Sequence, residues 1–266
     1  MNITEDTNVE IFVCFHDLKQ LPNIKKIIKG NNIYKPLLLG ENCGEDSPDY
    51  YCENKGDNIS YLNPFFSEMS GIYWMCKNSN ADIIGLAHYR RYFVKSKYFG
   101  ELIDEDFILE NLKDNDMLIQ NGTKPLRKTN YDSYGGKLLD ETLVLLKKYH
   151  PEYVDAYNKV INSNYPLSFF NMFVSDKKII EEYCEWFIPI LKELSKNLDE
   201  SENPRIVGVM GEFLFNIYIC HNKLNFKWTN VRVTEPSKLK LRMFFSKMGF
   251  VRSFFKHIYY PIKDKL

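Results

Sequence analysis

Residues 82–93 read Asp-Ile-Ile-Gly-Leu-Ala-His-Tyr-Arg-Arg-Tyr-Phe, and they carry the strongest indication of the fold class. The first half of the stretch is short and apolar, which is typical of a strand that is buried in the middle of a sheet. The polar and aromatic residues His88–Phe93 begin where this strand is expected to end. Because ligands of layered α/β folds gather at the carboxyl ends of strands, the stretch predicts a central strand with a candidate site at its carboxyl end.

Strand-like and helix-like segments alternate on both sides of this stretch. Short apolar runs predict further strands over Ile11–Phe15, Pro36–Leu39, Met117–Gln120, Phe169–Val174 and Val231–Thr234. Helical spacing predicts helices over Pro64–Lys77, Leu138–Tyr149, Pro151–Ile161 and Arg205–His221, and one from Asp176 onward with a kink at Pro189. Polar composition predicts loops over Gly40–Asn58 and Asn121–Gly136, the second long enough for a lid, and a break over Asp199–Pro204. The alternation predicts an α/β layered fold with a central mixed sheet.

The charges of the 266-residue chain sum to zero but are unevenly distributed. Residues 238–266 hold eight Lys and Arg residues against the single acid Asp264, so residues 1–237 are acidic. Large apolar residues recur with helix-like spacing in the basic segment, from Leu241 to Ile262. The pattern predicts a globular domain over 1–237 and a basic amphipathic helical tail over 238–266 that docks on the inner leaflet of a membrane. Packing of part of the tail against the core is the alternative.

The cysteines and the amino-terminal residues indicate the compartment. The six cysteines form no Cys-x-x-Cys pair, and Met1–Glu10 is polar and acidic, unlike a signal peptide. No run approaches the roughly 18 apolar residues that suggest a membrane span. These features predict a cytoplasmic protein that is peripheral to the inner face of the cell membrane if the tail docks there. The acidic body argues against a nucleic-acid partner, since a phosphate backbone would be repelled.

The block Gly85-Leu-Ala-His-Tyr-Arg-Arg-Tyr-Phe93 resembles the GL-x-HYRRYF hallmark of a family of bacterial capsular and exopolysaccharide glycosyltransferases, long classed as a domain of unknown function. Weaker similarities continue through Phe170–Phe173 and through Arg205-x-x-Gly-x-x-x-Glu212-x-Leu214. The resemblance implies a GT-A-like, nucleotide-sugar-binding fold. It also implies transfer of a sugar, with UDP-galactose or UDP-galactofuranose as the suggested donor, to a lipid-linked or oligosaccharide acceptor of a surface polysaccharide. The chain departs from the family at Phe213, where the family carries an arginine.

His88, Tyr89, Arg90 and Arg91 are the candidate donor-binding residues, because they offer many hydrogen-bond donors for a diphosphate. Side chains alternate along an extended segment, so the two arginines are not expected to face the same ligand. One is expected to bind phosphate and the other a structural carboxylate; a salt-bridged surface turn is the alternative. His16, just after the first predicted strand, is a candidate contact to the nucleotide base, with a capped strand end as the alternative.

Glu212 and Asn171 complete the candidate site. The resemblance implies a site role for Glu212, such as a general base for the acceptor hydroxyl. The alternative is a first-turn glutamate that complements the helix dipole. Asn171 either binds a sugar hydroxyl or is a satisfied core amide. Glu68, on the flank of the predicted helix over Pro64–Lys77, is expected to form a structural ion pair with Arg90 or Arg91.

A bound metal is the open question about cofactors. Many glycosyltransferases hold a divalent ion with a D-x-D motif, and this chain has Asp104-Glu-Asp106 and Asp114-Asn-Asp116. The first lies in a charged segment with helical character, and the second precedes its predicted strand instead of following it. A solvent-exposed face or turn is therefore the favoured interpretation of both motifs, and binding of Mg²⁺ or Mn²⁺ is the alternative. No histidine spacing indicates a zinc site.

The alternative function is that of a non-catalytic sugar- or nucleotide-binding subunit of a polysaccharide assembly complex.

Overall fold

One mixed eight-stranded sheet forms the centre of the computed structural model, which describes residues 4, 6–41, 44, 47–97, 100–121, 136–163, 165–196 and 205–234. Its strands are β1 (Val9–Phe15), β2 (Tyr34–Leu38), β3 (Tyr51–Cys52), β4 (Ile83–His88), β5 (Arg91–Val94), β6 (Met117–Gln120), β7 (Phe173–Asp176) and β8 (Phe226–Val233). Strands β3, β2, β1 and β4 are neighbours in that order and run parallel. Beyond β4, the antiparallel strand β7 leads to β6, which runs parallel to β8. The expected mixed α/β sheet is confirmed.

The described helices are α1 (Leu21–Ile28), α2 (Asn63–Phe66), α3 (Glu68–Asn78), α4 (Glu105–Leu112), α5 (Gly136–Tyr149), α6 (Val154–Asn162), α7 (Lys177–Lys196) and α8 (Ile206–Asn222). Helix α3 packs on β1 and β4, and α7 and α8 pack against α3. None of these helices combines the length and the apolarity that crossing a bilayer requires.

The stretch 82–93 supplies the central strand, as the sequence predicts. Strand β4 is buried almost throughout and lies between β1 and β7. Gly85 permits the close approach of β7, because a Cβ at this position would lie 2.9 Å from the Phe173 carbonyl oxygen. Cys14 of β1 is in register with His88 of β4, so these two strands end side by side. We call the side of the sheet where β1, β2, β4 and β6 end the carboxyl edge, and the opposite side the amino edge.

Four sequence predictions are wrong in their details. The final strand, expected over Val231–Thr234, starts five residues earlier and runs over Phe226–Val233. The helix expected over Pro64–Lys77 is two helices, because Ser67 has a φ of 51° and interrupts the chain between α2 and α3. The strand expected over Phe169–Val174 starts only at Phe173, because Phe170 and Asn171 form a turn with positive φ. The loop expected over Gly40–Asn58 contains β3 and the completely buried Glu53.

Several predicted segments lie outside the described residues. These are most of the loop over Asn121–Gly136, the break over Asp199–Pro204 and the whole tail over 238–266. The chain divides into a compact unit of residues Met1–Arg232 and a second unit, Val233–Leu266, of which two residues are described. The domain boundary after residue 237 therefore stays a prediction.

Candidate active site

The carboxyl edge brings four separate chain segments together. His88 ends β4 and Arg91 begins β5, so the hallmark block is a hairpin whose turn is formed by Tyr89 and Arg90. Glu68 is the first residue of α3, and Glu212 lies on the second turn of α8. The turn at Phe170 and Asn171, just before β7, lies among them. We call Glu68, His88, Arg91, Phe170, Asn171 and Glu212 the edge site.

Phe170 contacts three of the other members of the edge site. Its carbonyl oxygen lies 2.7 Å from His88 Nε2, and because a carbonyl only accepts, this ring nitrogen carries the proton. Its backbone N–H donates to the Glu212 carboxylate. Its ring lies under the Arg91 guanidinium, 3.8 Å from the ring centroid to Cζ, which is a close cation–π contact. The turn thus fixes the histidine, the arginine and the glutamate relative to one another.

Asn171 connects this turn to α3. The residue is completely buried, and its Nδ2 donates to Glu68 Oε1 at 2.9 Å. Its Oδ1 has no hydrogen-bond partner among the described residues, which is uncommon for a buried amide oxygen. The amide is therefore only half satisfied. The charge of Glu68 also raises the pKa of Arg91, but the ion pairs of the described residues include none between Glu68 and Arg91, so the ion pair expected from the sequence is not found between these two residues.

Glu212 is the most perturbed carboxylic acid of the site. Burial raises the pKa of Glu212 to about 8, and the negative charge of Glu68 adds to this rise. The Phe170 N–H and the charge of Arg91 act in the opposite direction. Glu212 lies outside the first turn of α8, which begins at Ile206, so the alternative of a first-turn dipole cap does not apply. The structure thus holds a carboxyl group that gains or loses its proton near neutral pH.

The two arginines point to different surroundings, as predicted, although the cause is a turn and not an extended strand. Arg90 Cζ lies 4.7 Å from the centroid of the Tyr89 ring. Arg91 instead faces Phe170 and the two carboxylates: burial lowers the pKa of Arg91, whereas Glu212 and Glu68 raise it. Since an arginine pKa is far above neutrality, Arg91 remains a cation. Arg91 is therefore the arginine that meets structural carboxylates.

His16 and Tyr89 extend the site toward β1. His16 follows β1, and the Tyr89 backbone N–H donates to the Cys14 carbonyl oxygen at 3.1 Å. A good part of the His16 surface still faces solvent, yet the surrounding protein desolvates the imidazole and lowers its pKa. The positive charge of Arg205 lowers the pKa of His16 further, so Arg205 also belongs to this electrostatic environment.

Backbone strain is concentrated here. Of the four non-glycine residues with positive φ in the described part of the chain, three belong to or border the edge site: Ser67 at 51°, Phe170 at 69° and Asn171 at 48°. Such conformations cost about 1–3 kcal/mol each and cluster at functional sites. Close packing supports them, since a Cβ at Gly211 would lie 2.7 Å from Met69 Sδ, which shows how tightly α8 meets α3.

Asp104 and Asp116, one aspartate from each D-x-D motif, have other partners, and so does Asp82, which precedes β4. Asp104 caps α4 by accepting from the Phe107 N–H at 3.1 Å and pairs with Lys95, and Asp116 accepts from the Asn225 N–H at 2.7 Å. Asp82 accepts from the Asn8 N–H at 2.9 Å. Asp82 and Asp116 precede their strands and so lie at the amino edge. Within the described ranges, no group of three or more His, Cys, Asp or Glu side chains is suited to hold a metal ion.

Comparison with known proteins assigns a family. A family model described as a domain of unknown function, DUF4422, matches residues 10–223, which include the whole edge site. The chain belongs to this family. It is also similar to the solved apo structure of WbbM, a bifunctional glycosyltransferase, with a TM-score of 0.70 and 26% identity over 86% of this chain. The chain spans about half of that protein, 46% of its length. No curated protein matches the chain.

Two features of this DUF4422 chain escaped the sequence interpretation. Ser67 was not a candidate, and Phe170 appeared only in the weaker similarity over Phe170–Phe173, because no motif identifies a strained residue or a backbone carbonyl as part of a site. Phe213, which replaces the arginine expected from the resemblance, is buried and packs edge-to-face on Phe169, with ring centroids 5.9 Å apart. A buried aromatic residue cannot supply the charge of an arginine, so Arg91 is the cation that faces Glu212 among the described groups acting on its pKa.

Proposed function

We propose that the chain is a glycosyltransferase that moves a sugar from a nucleotide-sugar donor, UDP-galactose or UDP-galactofuranose, to a growing surface polysaccharide or a lipid-linked acceptor. The observation that carries the proposal is the edge site itself. A carboxyl group with a pKa of about 8 stands beside a fixed arginine at the carboxyl edge of an α/β sheet, in a chain similar to a glycosyltransferase structure. A GT-A layout of the domain is part of the same proposal.

The donor diphosphate binds to the hairpin that follows β4. His88, Tyr89, Arg90 and Arg91 present donors and positive charge at this strand end, and His16 lies beside them for the nucleotide base. We assign the phosphate to Arg90, because Arg91 already faces Glu68 and Glu212. A nucleoside diphosphate gains negative charge as it leaves, and a prepositioned guanidinium stabilises that charge in the transition state.

Glu212 acts as the general base. The acceptor oxygen forms the new bond to the anomeric carbon, its proton passes to the Glu212 carboxylate, and the nucleoside diphosphate leaves with the electrons of the broken C–O bond. A base works best when its pKa is near the working pH, and burial beside Glu68 tunes Glu212 in this direction. Asn171 holds Glu68 in place through its Nδ2, and because the residue is completely buried, we assign it a positioning role instead of direct contact with the sugar.

A non-catalytic sugar- or nucleotide-binding subunit is the competing function. Such a protein would need the donor-binding residues but would have no use for a buried carboxyl group that titrates near neutrality. The raised pKa of Glu212 therefore favours the enzyme.

The proposal is tested by binding and by turnover. Titration calorimetry with UDP, in chelator and then with Mg²⁺ or Mn²⁺, is carried out on the wild type, Arg90→Ala and Arg91→Ala; UDP release from both UDP-sugars is measured in parallel. We expect Arg90→Ala to bind UDP at least about tenfold more weakly, because a hydrogen bond to a charged group contributes about 1.5–3 kcal/mol. Arg91→Ala should lose turnover with a smaller loss of UDP affinity, because the Arg91 guanidinium faces Glu68 and Glu212. Unchanged affinity in both variants, together with an absolute metal requirement, would overturn the arginine role. UDP binding without any release from either sugar would favour the non-catalytic subunit.

The location of the enzyme follows from its acceptor. We propose that the protein is cytoplasmic and that the basic tail over 238–266 docks it on the inner leaflet, where a lipid-linked acceptor would lie. The eight basic residues of the tail each contribute on the order of 1 kcal/mol near anionic lipid. Co-sedimentation with anionic vesicles, compared between the full chain and a chain ending at Ser237, tests this; equal binding of the two would contradict it.

A further inference from the structure

A cavity lies away from the edge site, between α5, α7 and the turn that precedes α2. Its volume is about 800 Å³, which is within the range of ligand pockets. None of its lining residues belongs to the edge site. They are Tyr61, Leu62, Leu145, Tyr149, His150, Ile188, Pro189, Ile190, Lys192, Glu193, Ser195 and Lys196.

The cavity is within reach of the edge site. Tyr61 lies seven residues before Glu68, and four of the intervening residues form α2, so the two Cα atoms are at most about 20 Å apart. Helix α7 starts at the amino edge, where the Lys177 N–H donates to the Asp82 carbonyl oxygen at 2.8 Å. Its 20 residues extend about 30 Å, whereas the six residues of β4 extend about 20 Å. The last turns of α7 are therefore long enough to reach the level of the carboxyl edge.

The cavity is lined by apolar side chains, by two exposed aromatic rings and by hydrogen-bonding groups at its rim. Leu62, Leu145 and Ile188 stay partly exposed to the cavity. Tyr61 and Tyr149 are 55% and 53% exposed, which is unusual for such large rings in one pocket. His150 and the polar residues at the end of α7, Lys192 to Lys196, supply donors and acceptors at the rim.

This combination fits a carbohydrate better than a lipid. A sugar ring has an apolar C–H face that packs on an aromatic ring and hydroxyl groups that need hydrogen-bond partners at its edge. A lipid chain would need an apolar wall throughout, whereas here Lys196 and Glu193 form an ion pair of 2.6 Å on the rim. His150 is likewise close to a carboxylate, 3.6 Å from Glu152.

We propose that this cavity binds sugar units of the acceptor oligosaccharide, at a distance from the hydroxyl that reacts at the edge site. The identity of the ligand as acceptor rests on the proposed function, while the binding of saccharide by the cavity does not. Tyr61 and Tyr149 are the residues on which the sugar rings stack.

The test is binding without donor, so that it does not depend on turnover. The full chain is applied to a printed array of bacterial surface oligosaccharides, and the best binder is titrated calorimetrically. Tyr61→Ala and Tyr149→Ala should each weaken binding at least about tenfold, while Tyr149→Phe, which keeps the ring, retains it. The matched control is Val144→Ala on the same helix: Val144 is 63% exposed but does not line the cavity. Circular dichroism confirms that each variant is folded.

Arg91→Ala separates this proposal from the proposed function, since it should keep saccharide binding even if donor binding is lost. Saccharide binding with no sugar transfer by the wild type would leave the cavity assignment standing and overturn the enzyme assignment. Absence of any array binder, or equal binding by the wild type and both alanine variants, would overturn the cavity assignment. Binding of neutral vesicles that contain polyprenyl phosphate, lost in Tyr61→Ala and Tyr149→Ala, would replace the saccharide with a lipid.

Discussion

The two edges of the sheet hold similar kinds of residues in different states. At the amino edge, Asp82 and Asp116 accept hydrogen bonds from backbone N–H groups of neighbouring segments. At the carboxyl edge, Glu212 is desolvated, stands beside a second carboxylate and has a pKa of about 8. The acids of the amino edge serve the fold, whereas the carboxyl edge keeps a charge-sensitive group at a cost to stability.

Backbone geometry separates the two edges in the same way. Ser67, Phe170 and Asn171 hold strained conformations at the carboxyl edge, and each lies in or next to the edge site. Lys223, the fourth such residue among those described, ends α8 in the left-handed conformation that helix ends commonly adopt. Positive φ thus marks an ordinary helix end at the amino edge, whereas at the carboxyl edge three such residues cluster around the edge site, which is the pattern expected of a functional site.

The largest expected effect comes from removing the proton acceptor. Glu212→Gln keeps the shape of the side chain but cannot take a proton, so sugar transfer should fall by about 10²-fold or more. UDP binding should persist, because the donor-binding residues are unchanged. Rates of UDP release and calorimetric UDP titration measure the two quantities. Asp116→Asn, the matched change at the amino edge, should leave transfer at the wild-type rate; wild-type transfer by Glu212→Gln would show that Glu212 is structural.

The pH dependence should be next in size. With a pKa of about 8, Glu212 is mostly protonated at pH 6, and the base form grows about tenfold per pH unit until the pKa is reached. The transfer rate should therefore rise from pH 6 to about 8 and then level off. A rate that is flat over this range in the wild type would contradict a general base with this pKa.

The same shift also affects stability, with a defined sign. The folded protein binds more protons than the unfolded chain between the ordinary glutamate pKa of 4.5 and about 8, because folding raises the pKa. This group thus favours folding at low pH, and its contribution is lost as pH rises through the folded pKa. Thermal unfolding at pH 5 and pH 8 should show a smaller loss of Tm in Glu212→Gln than in the wild type.

The sequence predicts the central part of the fold well for physical reasons. Strand β4 is a continuous apolar run, and α7 carries a periodic stripe of apolar residues. Both patterns arise from burial alone, so they can be recognised in the sequence. The break at Ser67 could not be predicted, because Asn-Pro-Phe-Phe-Ser-Glu continues the helical spacing across it. What interrupts the helix is the packing of α2 and α3 on α8, where a Cβ at Gly208 would lie 3.1 Å from Ser67 Oγ.

The candidate site was predictable as a set of residue types but not as a set of contacts. The hallmark block and the glutamate of α8 stand out in the sequence, and the structure brings His88, Arg91, Asn171 and Glu212 together. Phe170, however, contributes a carbonyl oxygen, a backbone N–H and a ring face. The two backbone groups do not depend on the side chain, so the sequence does not reveal that they belong to the site. The role of Phe170 depends on a backbone turn that only the folded chain reveals.

The smallest expected effect tests the strain directly, by Ser67→Gly. Glycine adopts a φ of 51° without steric cost, so relief of about 1–3 kcal/mol is offset by the roughly 0.5–1 kcal/mol of extra chain entropy that glycine loses on folding. The free energy of unfolding, from urea titration, should rise by about 1 kcal/mol, while a looser junction before Glu68 should reduce transfer several-fold. Lys223→Gly is the control, since it relaxes a positive φ of 52° at the amino edge and should raise stability without changing transfer. If both glycine variants keep full transfer activity, the strained junction serves packing alone, and the contrast between the two edges reduces to the chemistry of Glu212.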